Sequence, residues 1–208
     1  MTSSSGIQFQ HAISPEKKYI VEAMSGGVLL LDYDQDGWLD IYFTNAPSVA
    51  MALRGEKAKS ALYRNNHDGT FTDVTDKAGV GYPCWAMGGA VADYNNDGWP
   101  DMLITCAEGM VLYRNNGNGT FTEKGVLAGV AFSEDGVARA GMGVDAADYD
   151  RSGAPSILIS NFSNQMLALY HNEGKGLFVD EAPRSEVGRA SLLTLGFSCF
   201  FFDYDNDG

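Results

Sequence analysis

Four stretches of this chain place oxygen-bearing side chains at alternate positions ahead of a glycine. They are Asp32-Tyr-Asp-Gln-Asp-Gly37, Asp93-Tyr-Asn-Asn-Asp-Gly98, Asp148-Tyr-Asp-Arg-Ser-Gly153 and Asp203-Tyr-Asp-Asn-Asp-Gly208. In the first copy Asp32, Asp34 and Asp36 hold positions 1, 3 and 5, the Trp38 carbonyl falls at position 7 and Asp40 at position 9. Alternate side chains can converge on one point. Calcium takes about six to eight oxygens at about 2.3–2.6 Å, main-chain carbonyls included. Softer metals want Cys or His, and the loops contain neither. The chemistry implied is Ca²⁺ binding. Two carboxylates about 4 Å apart repel by roughly 4 kcal/mol at an effective dielectric of about 20, and a bound cation removes that penalty. A solvated acidic turn would account for one such stretch, whereas the alternation favours a cation site.

The copies are unequal. The second offers Asp93, Asn95, Asp97, the Trp99 carbonyl and Asp101, one charge fewer than the first. The third keeps Asp148 and Asp150, but Ser152 and Ser156 stand at positions 5 and 9, so weak or absent binding is expected there. The fourth supplies Asp203, Asp205 and Asp207 and stops at Gly208, before positions 7 and 9.

An EF-hand loop opens similarly but requires a bidentate Glu at position 12 and a helix on each side. Position 12 is Phe43 in the first copy and Ile104 in the second, and the flanks Val28-Leu-Leu-Leu31 and Ile41-Tyr-Phe-Thr44 read as strands. The loops therefore join the two strands of a hairpin. A second motif recurs between them: Leu62-Tyr-Arg-Asn-Asn66, Leu112-Tyr-Arg-Asn-Asn116 and, more loosely, Leu169-Tyr-His-Asn-Glu173, each running on to a Gly-containing turn and Phe71, Phe121 or Phe178. Asp68-Gly69 and Asn118-Gly119 are hairpin turn signals. A third echo reads Gly6-Ile-Gln-Phe9, Gly79-Val-Gly-Tyr82 and Gly129-Val-Ala-Phe132.

Each unit of roughly 55 residues thus carries two hairpins, a four-stranded antiparallel sheet of the kind that forms a β-propeller blade. The fold class is all-β, with units at about 6–78, 79–128, 129–183 and 184–208. Strand 1 of each unit (Val28 to Leu31; Ala90 to Ala92; Phe200 to Phe202) is apolar or small throughout, which predicts burial on both faces. Gly88, Gly89, Gly141 and Gly143 would let these strands crowd about an axis. Up-and-down topology puts the acidic loops at the same end as the Asn/Gly turns. The longer segments Ala46–Lys59, Asp73–Trp85, Glu123–Ala140 and Glu181–Leu195 lie at the other end, where recognition is expected. Met51, Leu53 and Arg54 can support a short helical turn in the first of them.

The blade pattern resembles the FG-GAP/VCBS repeats of integrin α-subunit heads and of many bacterial surface and secreted proteins. Ser14-Pro-Glu-Lys17, Met24-Ser-Gly-Gly27, Leu31–Asp40 and Leu62–Asn66 together look like the ASPIC/UnbV-type proteins related to cartilage acidic protein. That resemblance implies a seven-bladed propeller with calcium in the 1–2 loops, commonly followed by a further domain. The chain would then supply about three and a half blades of a longer protein.

Its formal net charge is −13, from 27 acidic and 14 basic residues, many of the acids lying in the loops. No basic patch or stripe appears, so nucleic-acid binding is not expected. No apolar run is long enough to span a bilayer, and no signal-peptide core is present. Sites of this type fill at extracellular calcium levels, which favours an extracellular, periplasmic or cell-surface setting. Cys84, Cys106 and Cys199 form no CxxC. Regular hairpin register places Cys106 nearer Gly88 than Cys84, so a Cys84–Cys106 bridge is open but not favoured, and Cys199 reads as a small core residue. His11, His67 and His171 sit in no nucleophile or metal motif, and no catalytic residue is identified. The reading is a noncatalytic calcium-binding scaffold that engages a protein or glycan through the face opposite the loops, as an adhesion or binding module. Its alternative is part of a secreted carbohydrate-active or other hydrolytic enzyme whose catalytic groups lie in other blades or another domain.

Overall fold

A computed structural model describes residues 4–205. It contains three four-stranded antiparallel sheets, each a simple meander. The first comprises β1 (Val28–Leu31), β2 (Asp40–Phe43), β3 (Ala61–Asn65) and β4 (Phe71–Asp73). The second comprises β5 (Ala86–Ala92), β6 (Asp101–Cys106), β7 (Val111–Asn115) and β8 (Phe121–Glu123). The third comprises β9 (Val144–Ala147), β10 (Ser156–Ile159), β11 (Ala168–Asn172) and β12 (Phe178–Asp180). Both predicted hairpins are present in each of the first three units. The acidic loops join strands 1 and 2, and the Gly-containing turns join strands 3 and 4. The sheets are the blades expected of a β-propeller.

The core lies between the blades rather than inside any one. Leu29, Leu31, Tyr42, Leu62, Met102, Ile104, Val111 and Tyr113 fill the space between the first two sheets. Leu103, Leu112, Val130, Ile157, Ile159 and Tyr170 fill the next. Side chains alternate across a strand, so neighbouring residues of β6 serve different cores, and all six are buried. Innermost strands pack in the order β1, β5, β9. A Cβ on Gly89 would fall 3.0 Å from Leu29 Cδ1 and 2.7 Å from the Leu103 carbonyl, so this approach requires glycine.

Burial on both faces fails for β1, where Leu29 and Leu31 are buried while Val28 and Leu30 stay exposed. Among the described residues a neighbouring sheet covers only one side of this strand. The strand expected at 200–202 also forms no ladder. Instead the Phe201 N–H donates to Asp145 Oδ2 at 2.8 Å and its ring stacks on Tyr149 at 5.7 Å, with Phe200 and Phe202 exposed on either side.

Four short helices lie in connections between strands or beyond the last one: α2 (Val49–Leu53), α3 (Thr75–Ala78), α4 (Gly125–Ala128) and α5 (Glu186–Ser191). α1 (Ile20–Ala23) precedes β1. The helical turn expected near Met51 is α2, capped by Ser48 Oγ, which accepts from the Met51 N–H at 3.2 Å. The start of α2 is tied down from another side too. Buried Glu22 accepts from the Val49 and Ser14 N–H groups, and these donors outweigh burial and hold its carboxyl below the usual range.

Cys84 and Cys106 are joined in a disulfide with a Cα–Cα distance of 5.9 Å, within the ordinary range. This corrects the regular-register expectation. A β-bulge between Ala86 and Gly88 shifts the ladder so that Cys106 pairs with Ala86, which brings it to Cys84. Cys199 is free and only half-buried, its Sγ resting on the Gly143 and Leu158 carbonyls.

Candidate calcium loops and the contacts that hold them

The first residue of each of the first three loops closes its turn. Asp32 Oδ1 accepts from the Asp36 N–H at 3.0 Å and Oδ2 from the Gly37 N–H at 2.9 Å. Asp93 does the same with Asp97 and Gly98 at 3.1 and 2.7 Å, and Asp148 with Ser152 and Gly153 at 2.9 and 2.8 Å. Position 5 then takes the N–H of position 7: Trp38 donates to Asp36 Oδ1 at 3.0 Å and Trp99 to Asp97 Oδ1 at 3.1 Å. The third loop keeps the same turn with Ser152, whose hydroxyl lies 3.3 Å from Asp148 Oδ1.

In the first loop Asp32, Asp34 and Asp40 bring one carboxylate oxygen each within 4.8 Å of one another. Asp34 Oδ1 is buried and has no hydrogen-bond partner among the described residues. An orphaned buried oxygen among acids suits a hard cation, so these residues fit calcium. Asp36 points elsewhere. Arg64 Nε lies 2.6 Å from Asp34 Oδ2 and its Nη2 2.8 Å from Asp36 Oδ2, while His67 Nε2 is 2.7 Å from Asp36 Oδ2. Burial opposes ionisation of Asp36, but His67, the Trp38 N–H and Arg64 outweigh it and lower its pKa. The His67 ring stacks on Trp38 at 5.1 Å, so the strand 3–4 turn and the acidic loop do share an end of the blade.

The same strand-3 position approaches the other loops. Arg114 Nε lies 3.6 Å from Asp97 Oδ2, and His171 Nδ1 lies 3.3 Å from Asp150 Oδ2. Asn95 donates to Asp97 Oδ2 at 2.9 Å. These basic partners were missed in the sequence, although the recurrent Leu-Tyr-Arg/His-Asn motif marked their position. Asp203 and Asp205 are exposed, and Asp207 lies outside the described residues.

Position 9 has a second task that its acidity did not reveal. Asp40 is fully buried and accepts the Tyr33 N–H at 3.1 Å and the Asn65 N–H at 2.8 Å. Asp101 repeats this with Tyr94 at 3.2 Å and Asn115 at 2.7 Å. Burial pushes their pKa values up to about 6 and about 7, respectively, against the pull of those donors. Ser156 preserves half of the arrangement, its Oγ accepting the Asn172 N–H at 3.1 Å.

The repeat model described as FG-GAP-like repeat matches residues 32–104 and 93–159, spans that begin on the first residue of an acidic loop. The chain belongs to the FG-GAP-like repeat family. Among solved structures it is similar to an Agrocybe aegerita lectin described for its specific recognition of non-reducing terminal N-acetylglucosamine, at 18% identity and a TM-score of 0.44, over 74% of this chain and 37% of the lectin chain. It is also similar to the Photorhabdus luminescens Tc holotoxin pore, at 16% identity and a TM-score of 0.34, over 74% of this chain and 9% of that one. The chain thus spans well under half of either structure's chain. No curated protein matches it.

In this FG-GAP-like array the loops also couple one blade to the next. Gln35, at position 4, donates its side-chain amide to the Gly98 carbonyl, and Asn96 donates to the Gly153 carbonyl at 2.7 Å. The third sequence echo has the same purpose at the outer edge. Gly6, Gly79 and Gly129 all adopt φ between 75° and 83°, and their missing Cβ atoms would face the carbonyls of Phe71, Phe121 and Phe178, each in the blade that follows the echo. The Tyr82 N–H then donates to Tyr113 Oη at 3.1 Å, and Tyr170 Oη donates to the Phe132 carbonyl at 3.2 Å.

Proposed function

We propose that the chain is a calcium-stabilised, noncatalytic binding module whose partner, a protein or a glycan, docks on the face opposite the acidic loops. The convergence of Asp32, Asp34 and Asp40 around the unpartnered Asp34 Oδ1 carries the calcium part of this reading. The Trp38 carbonyl, and Asp36 once it turns from Arg64 and His67, would complete the first ligand set, with Asp93, Asn95, Asp97, Trp99 and Asp101 as the second. Asp148 and Asp150 with Ser152 form a weaker third set, and the loop from Asp203 a fourth. Bound calcium would offset the clustered negative charge and hold the turn closed, a scaffold role. Titration calorimetry with Ca²⁺ on chelator-treated protein tests this. Saturable binding, reversed by EGTA and weakened by Asp34→Asn, is expected, and no heat above dilution overturns it.

The end of the blades opposite the loops carries the long connections, and the binding role is assigned there on the general ground that variable loops on a rigid frame carry recognition. The ASPIC/UnbV-like motifs support placing the chain in that branch of the family. The Cys84–Cys106 disulfide supports an extracellular, periplasmic or surface location, since such bonds persist in oxidising compartments. An adhesion role follows from the same reading.

A further inference from the structure

Where the first two blades meet, at the end opposite the acidic loops, there is a cavity of about 270 Å³. Its walls come from three connections. Pro47 and Lys57 belong to the β2–β3 segment, Tyr82, Pro83 and Trp85 to the β4–β5 segment, and Glu108 to the β6–β7 turn. We propose that this cavity binds an uncharged, hydroxyl-rich sugar unit. The proposal rests on the partner-binding reading above and gives that face a ligand class and a place.

The lining combines two features that sugar recognition requires. Tyr82, Trp85 and the two prolines provide apolar surface against which the C–H face of a pyranose ring can pack, and Tyr82 is 53% exposed. Polar groups able to take and give hydroxyl hydrogen bonds stand beside it. Exposed Glu108 commits one oxygen to the Trp85 main-chain N–H at 3.0 Å. Tyr82 and Lys57, which line the same cavity, add a phenolic hydroxyl and an ammonium as further hydrogen-bonding groups.

Charge narrows the ligand further. Glu56 is engaged by Arg54 at 2.6 Å, which leaves one acid, Glu108, and one base, Lys57, at the cavity. That balance favours neither a sulfated nor a polyanionic chain. The site is also held in shape before any ligand arrives. Trp85 is pinned by Glu108 and by the Ala107 N–H, which donates to its carbonyl at 3.1 Å, and it follows directly on the disulfide-bonded Cys84. The opposite wall is fixed by Glu22 and Ser48 at the start of α2. Preorganisation of this sort reduces the ordering cost of binding.

The chain's three tryptophans make the test direct, because Trp38 and Trp99 lie in the acidic loops at the other end of the blades. The probes are neutral hexoses and N-acetylhexosamines, as mono- and disaccharides, titrated at millimolar concentration into calcium-loaded protein while tryptophan emission and heat are followed. A saturable emission change is expected with at least one sugar, retained in Trp38→Phe and Trp99→Phe and lost in Trp85→Phe. Tyr82→Ala and Glu108→Gln should each weaken binding tenfold or more, with the calcium response unchanged. A sugar bound equally well by Tyr82→Ala and Glu108→Gln overturns this site but leaves the glycan-binding reading of the opposite face standing. No response to any of these neutral sugars overturns the ligand class.

Discussion

The side-chain amide of Asn115 donates to the main-chain carbonyl of Tyr33, 2.8 Å away in the loop of the preceding blade, and Asn172 repeats the contact onto Tyr94 at 2.9 Å. The same amides hold their own blade, reaching the Pro100 and Pro155 carbonyls at 3.2 and 2.9 Å. One residue of the Leu-Tyr-Arg/His-Asn motif thus fastens each blade to its predecessor. Asn65, its counterpart in the first blade, reaches only the Leu39 carbonyl in its own sheet, at 3.1 Å.

Asn115→Leu should therefore cost more than Asn65→Leu. The first removes a fully buried amide and strands two carbonyls, each costing about 1–3 kcal/mol when unsatisfied. A total near 3 kcal/mol is expected, against about 1 kcal/mol at the exposed Asn65 contact. Urea unfolding of the two variants checks this, and equal midpoints would remove the clasp from the account of stability.

The three loops should not respond equally to loss of a ligand. Asp34→Asn acts on the convergent set of Asp32, Asp34 and Asp40, and Asp36→Ala on the position-5 acid of the same loop, whereas Ser152→Ala removes a hydroxyl from a loop whose turn is already closed by Asp148. With calcium at about a hundred times its dissociation constant, one site adds about 2.7 kcal/mol. The Asp variants should forfeit most of the first site's calcium-dependent rise in melting temperature, and Ser152→Ala almost none. Thermal melts with calcium and with EGTA compare them. Asp36→Ala has a further consequence, since it also removes the carboxylate partner of His67 and one of the two that hold Arg64, and so loses stability without calcium as well.

Much of this was legible in the residues. The alternating acids, the Asn/Gly turns and their repetition gave the hairpins, the meander and the shared end of loops and turns, because these depend on local chain geometry. Contacts between blades were not legible. The amide of Asn115 meets Tyr33 across some eighty residues of sequence, and nothing near either residue announces the other. Asp40 and Asp101 looked like ligands alone, since composition does not say that a carboxylate is buried against two N–H groups. The Cys84–Cys106 bond depended on a single bulge, which a regular ladder does not foresee.

That bond should matter to stability. It closes a loop of 22 residues at the inner end of β5, and loops of this size contribute about 3 kcal/mol in the chain-entropy view. Cys84→Ser/Cys106→Ser should lower the urea midpoint accordingly, and Cys199→Ser, which breaks no bond, should change it little. A peptide map under non-reducing conditions provides the independent check, since it must recover Cys84 linked to Cys106 and Cys199 as a free thiol.

The echo glycines offer a graded test of how the blades meet at their outer edge. Gly79 and Gly129 have nearly the same conformation, φ 75° and 83°, so alanine at either pays the same left-handed penalty of about 1 kcal/mol. Their surroundings differ. A Cβ at position 79 would sit 3.7 Å from the Phe121 carbonyl, an ordinary contact, whereas at position 129 it would sit 2.7 Å from the Phe178 carbonyl and force the end of α4 away from β12. Overpacking of that kind adds about 1–3 kcal/mol. Gly129→Ala should thus be the more destabilising by at least about 1 kcal/mol, and its excess should be confined to the junction of the second and third blades. Hydrogen exchange at β8 and β12 can localise it. Equal destabilisation by the two variants would mean that only backbone conformation, and not the close approach of neighbouring blades, selects glycine in this echo.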